Sequence, residues 1–101
     1  MWRMYAHLRH GMLTDIGSRN YVVRQRLPHP VVEVEVIMAD ERHPATHWGW
    51  LQKGATKPSS IWPTEDLYRT CFYDTPESQE KAGYGRTVRL AVRPIGRLAS
   101  Q

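Results

Sequence analysis

The sequence predicts an α+β domain: a mostly antiparallel sheet of about five strands, with one or two short helices between the last two strands. Three observations carry this. Apolar and polar residues alternate with period two along several stretches, as strands with one packed face do. The chain has 101 residues, the size of a single domain spanning 1–101. Helix punctuation is confined to the segment before the last alternating stretch.

The elements follow in order. "WRMYAHLR" sets Trp2, Met4, Ala6 and Leu8 against Arg3, Tyr5, His7 and Arg9. "GMLTDIGSRN" (11–20) reads as a turn or one short helical turn, because Gly17, Ser18 and Asn20 are poor helix formers. "YVVRQRL" (21–27) reads as a second strand, with Tyr21, Val23 and Leu27 opposite Arg24 and Arg26. "VVEVEVIM" (31–38) is the clearest strand, with Val32, Val34, Val36 and Met38 against Glu33 and Glu35. A loop of Pro28 to Val31 would pair these two as a hairpin, with Arg26 facing Glu33 and Arg24 facing Glu35.

"THWGWLQ" (46–52) places Trp48 and Trp50 on one face and His47, Gly49 and Leu51 on the other. The tryptophan face is expected inside, beside Trp2, Met4, Val34 and Val36. Residues 53–60 form a loop by composition. Residues 63–74 suit a helix, with Pro63 and acidic residues early, although "LYRTCFY" would also suit a strand. In 75–83, Thr75 is the N-cap, Pro76 the first helical residue and Gly83 lies just past the end. "TVRLAVR" (87–93) sets Val88, Leu90 and Val92 against Arg89, Ala91 and Arg93, and the first and last strands are expected to share one core.

Composition narrows the function classes. One cysteine, Cys71, leaves no internal disulfide framework. The N-terminus has no continuous apolar h-region, and "VVEVEVIMA" is too short to span a bilayer, so a cytoplasmic location without membrane contact is expected. The net charge is +4, and most of the 14 basic residues are arginine, which suits bidentate contacts with carboxylates or phosphates. Four Trp and five Tyr against one Phe favour rings with one wet end.

"HPATHWGW" (43–50) is the most unusual stretch. His43 and His47 have a spacing that would share one helix face, but Pro44 pushes His43 out of the helical region. They are expected at a strand entrance, not around a metal. No phosphate loop exists, Cys71 sits among apolar residues, and the carboxylate pairs Asp40/Glu41 and Glu65/Asp66 are adjacent instead of facing. No cofactor is expected, and the sequence by itself names no catalytic set. The leading expectation is a binding or interaction module that self-associates, because a small single-layer sheet leaves one face thinly covered. Trp62, in a loop before Pro63, is its expected rim residue. One alternative is single-stranded nucleic-acid binding by a face carrying Arg3, Tyr5, Arg9, Arg89 and Arg93, flanked by Arg86 and Arg97. The other is a small enzyme with a pocket near His43, His47 and Trp62.

Overall fold

A computed structural model describes residues 1–97. It contains β1 (Trp2–Arg9), β2 (Met12–Gly17), α1 (Arg19–Arg24), β3 (Val31–Met38), β4 (His47–Gln52), β5 (Ser59–Trp62), α2 (Glu65–Arg69), α3 (Pro76–Lys81) and β6 (Gly85–Arg97). The six strands form one antiparallel sheet in the order β2-β1-β3-β6-β4-β5. The sheet curls until its two edges, β2 and β5, lie against each other, which makes a nearly closed barrel. The α+β class holds, but the strand count and the placement of one helix differ from expectation.

The barrel interior is the core. Met4 and Ala6 of β1 meet Val32, Val34 and Val36 of β3 and Val88, Leu90 and Val92 of β6, with Leu13 and Ile61 from the edge strands. Trp2, Leu8, Ile16 and Leu51 pack against this cluster at its margins. The alternating faces of β1, β3 and β6 are therefore oriented as the sequence predicts. Because the sheet rolls up on itself, its inner face needs no second copy to cover it. The open single layer that motivated the expectation of self-association does not form.

Three local readings are corrected. First, 21–27 is not a strand. Ser18 caps α1 by accepting the Tyr21 N–H at 3.2 Å, and Val22 is fully buried beside β1. Arg26 then takes φ 50°, ending the helix before Pro28. The hairpin pairs Arg24–Glu35 and Arg26–Glu33 are thus absent, since β3 pairs with β1 and β6 instead. Second, 12–17 is a strand. His10 and Gly11, at φ 49° and 79°, form the two-residue turn that joins it to β1, as positive φ at both positions of a type I′ hairpin requires.

Third, Trp48 and Trp50 lie on the outer face of the barrel. Gly49 between them faces inward, and a Cβ there would lie 2.6 Å from Leu90 Cδ1. The row of His47 and Gly49 is therefore the interior row. The tryptophans are covered from outside: Trp48 stacks on Tyr68 of α2, and Trp50 meets Phe72 edge to face at 5.2 Å. Residues 63–74 hold only the short α2, capped by Thr64. The N-cap of α3 is Thr75, with Pro76 in its first turn and Gly83 at φ 83° after its end, as the sequence reads. Arg69 ties α2 to α3 through Glu77 at 2.8 Å.

Candidate functional site

The pairing is irregular in three places: β6 shifts by one residue against β3 at Glu33/Val34, and both edge strands shift as well, each with a left-handed residue that the β6 irregularity lacks. Between the pairs Tyr5–Gly17 and His7–Thr14, Asp15 and Ile16 together oppose Ala6 alone. Between Trp48–Trp62 and Trp50–Ser59, Ser60 and Ile61 together oppose Gly49 alone. Each edge therefore carries a β-bulge. In each bulge a non-glycine residue is held in the left-handed region: Asp15 at φ 55° and Ser60 at φ 51°. Such residues cost on the order of 1–3 kcal/mol each and persist only where their surroundings impose them. Bulges bend a strand and interrupt its ladder.

The bulged edges face each other across a cavity of about 420 Å³. Met4, Ile16 and Ile61 supply apolar lining, and Tyr21 and Trp62 supply aromatic rings. Asp15, Lys57, Ser18 and Ser60 supply polar groups of both charges. The Asp15 carboxylate accepts the Thr14 hydroxyl at 2.8 Å, which orients it. Trp62 donates its indole N–H to the Cys71 sulfur at 2.9 Å, and Cys71 is exposed at the same cavity. Trp62, expected in a loop as a rim residue, is instead the last residue of β5, and it lines this cavity. Asp15 and Ser60 carry no signal in the sequence, because the bulges that hold them interrupt the alternation that would have revealed β2 and β5; Tyr21 and Lys57 come from α1 and from the loop before β5.

The two histidines of "HPATHWGW" part company. His43 sits in a turn, where the Asp40 carboxylate accepts the backbone N–H of Arg42 and of His43 and also contacts the His43 ring at 3.1 Å. These bonds hold the Asp40 carboxyl below the usual carboxylate range. His47 begins β4 and points into the barrel, where it is 4% exposed. Its Nε2–H donates to the Leu13 carbonyl at 2.8 Å, on a strand that is not its neighbour in the sheet. Its Nδ1 accepts the Thr46 hydroxyl at 2.8 Å, and that oxygen in turn accepts the Val92 N–H at 2.9 Å. Burial lowers the His47 pKa, and the bond to Leu13 offsets this in part. Neither His43 nor His47 lines the seam cavity with Trp62. Among the described residues, no three of His, Cys, Asp and Glu converge as a metal-ligating group.

The arginines also divide. Arg3 reaches Glu33 at 3.5 Å and Arg93 reaches Glu35 at 3.1 Å, on the outer face that also carries the half-buried Tyr5. The Arg89 guanidinium lies 3.8 Å from the centre of the Trp48 ring. Arg9 stands apart, beside the β1–β2 turn. No helix among the described residues is long and apolar enough to cross a membrane. Comparison with protein families, with curated proteins and with solved structures returns no match.

Proposed function

We propose that this chain is a binding module for a small organic ligand, and that its site is the seam cavity. One observation carries the reading: both edges bulge at the same place, each with a strained non-glycine residue, and the bulges bound a single cavity. Its size falls in the range of small-molecule pockets, roughly 300–1,000 Å³. Its lining, apolar and aromatic with a few convergent polar groups, is the chemistry such pockets use. Asp15 and Lys57 suit a ligand with separated polar ends, and Trp62 and Tyr21 suit a flat or apolar body.

The test is a fragment screen read by the Trp62 indole N–H signal and the backbone amides of 15–18 and 57–62. Hits that shift these signals together, and lose affinity in Trp62→Ala with the fold intact, support the reading. Hits that gather elsewhere on the barrel, or an absence of hits in a library of diverse polar aromatics, overturn it.

A further inference from the structure

Charge is distributed unevenly along the chain. Residues 1–32 contain Arg3, Arg9, Arg19, Arg24 and Arg26 but only one acid, Asp15, so 5 − 1 = +4. Residues 33–101 hold the other nine basic and nine acidic residues and sum to zero. The first third of the chain thus carries the whole net charge, and every cation in it is an arginine.

The fold gathers most of these cations at one place. The β1–β2 turn presents Arg9 and His10, and α1 with its connection to β3 presents Arg24, Arg26 and His29. Several contacts hold the two segments side by side, among them one between the His7 ring and the His29 carbonyl at 3.4 Å. The His10 and His29 rings meet edge to face, with centroids 6.0 Å apart. Leu8 donates its backbone N–H to the Pro30 carbonyl at 2.9 Å. The fully buried His7 ring binds the Val22 carbonyl of α1 at 2.9 Å. Arg9, Arg19, Arg24 and Arg26 are all exposed, and among the described residues none of them has a carboxylate within ion-pair distance. The fifth cation, Arg3, is the one already paired, with Glu33.

We propose that this barrel end binds the phosphate backbone of nucleic acid. Arginine offers a planar fork of donors that matches phosphate oxygens. Binding releases counterions from the nucleic acid, so unpaired arginines count for more than arginines already neutralised by a neighbour. The His10 and His29 rings among the cations add flat surfaces on which unpaired bases stack. This inference does not depend on the seam cavity.

The experiment is fluorescence anisotropy with a labelled mixed-sequence oligonucleotide of about twenty nucleotides, single-stranded and duplex, over ~50–200 mM salt. The Arg24→Gln/Arg26→Gln double variant is expected to weaken single-strand binding by ~10-fold or more and to flatten the salt slope by about 0.7 per arginine removed. The Arg3→Gln/Arg93→Gln double variant removes the same net charge from ion-paired positions and is expected to cost ~2-fold or less. Arg9→Gln, from the other segment of the surface, should weaken binding in the same direction as the first double variant. Thermal melting checks that all variants fold. Equal losses in the two double variants, or binding without salt dependence, overturn the proposal. So does binding to phosphatidylserine vesicles with none to the oligonucleotides.

Discussion

The wall of the barrel and its seam are made by one sheet under opposite local rules. Along the wall, β1 pairs with β3 from Trp2 to His7 and β4 pairs with β6 from His47 to Gln52 without a register shift, and β3 pairs with β6 in one register from Val34 to Met38, with a single shift beyond Glu33 that strains no non-glycine residue. Every second residue of β3 from Val32 to Val36 points inward and is almost fully buried. Along the seam, both edges break register and both place an L-residue where glycine is favoured. The wall gains stability from long runs of regular pairing and from packing. The seam forgoes part of that and leaves a lined cavity in its place. Stability is therefore concentrated on one side of the molecule and candidate chemistry on the other. A barrel can afford one open seam because the remaining strands close its core.

The largest expected effect sharpens this contrast from the wall side. Leu90 is fully buried at the centre of the interior. Leu90→Ala should lower stability by ~2–5 kcal/mol, read by denaturant unfolding. A change within ~0.5 kcal/mol, typical of surface sites, would show that the wall is not where stability resides.

Gly49 is the next test. An added Cβ would meet Leu90 Cδ1 at 2.6 Å and Ile61 Cγ1 at 3.4 Å, and Leu90 has no exposed side toward which to move. Gly49→Ala should cost ~1–3 kcal/mol by overpacking. Combined with Leu90→Ala, the loss should be smaller than the sum, since the new methyl enters the space that Leu90 vacates. Strict additivity would place Gly49 away from the core and reopen the assignment of Trp48 and Trp50 to the outer face.

What could be read from the sequence follows the same division. β1, β3 and β6 alternate cleanly, so their inner faces were legible residue by residue. "YVVRQRL" alternates as well, but the Ser18 cap, the burial of Val22 and the bond from the His7 ring to the Val22 carbonyl favour a helix. That swap exchanged the ionic partners: Glu33 and Glu35 pair with Arg3 and Arg93, and Arg24 and Arg26 are left in solvent. β2 was hidden because its bulge spaces the inward residues Leu13 and Ile16 three apart. β5 was hidden because it has four residues and one of them is displaced by a bulge. The irregularities that bound the cavity are the ones that erase the strand pattern, so a site of this kind leaves little trace in periodicity. The His10-Gly11 turn between two alternating stretches was the one signal available for β2.

His47 links the two sides, since it reaches from β4 across the interior to Leu13 on the seam strand. Its pKa in the folded state lies below the ordinary 6.5 because burial disfavours the charged ring. In the window between the folded and unfolded values, the unfolded chain binds a proton that the folded chain does not. Stability must therefore fall as pH drops through about 6.5 and level off below the folded value. Unfolding measured from pH 8 to pH 4.5 should show this loss in the wild type, and a smaller loss in His47→Gln, whose amide can still donate to Leu13. Equal pH slopes in the two proteins would remove His47 as the acid-sensitive link.

The smallest expected effect bears most directly on the seam. Ser60 sits at φ 51°, where an L-residue is strained and glycine is not. Glycine also makes the unfolded chain more flexible, which offsets part of the relief. Ser60→Gly should therefore stabilise the protein by only ~0.5–1 kcal/mol, which a thermal melt can resolve. The same change removes a hydroxyl from the cavity lining and loosens the bulge that shapes it. If strain at the seam is retained for binding, fragment affinity should fall while the melting temperature rises. A variant that is less stable than wild type would mean that the bulge is relaxed, and the contrast between wall and seam would lose its energetic basis. A variant that gains stability and keeps full affinity would assign the bulges another task, the blunting of two exposed sheet edges against pairing with other chains.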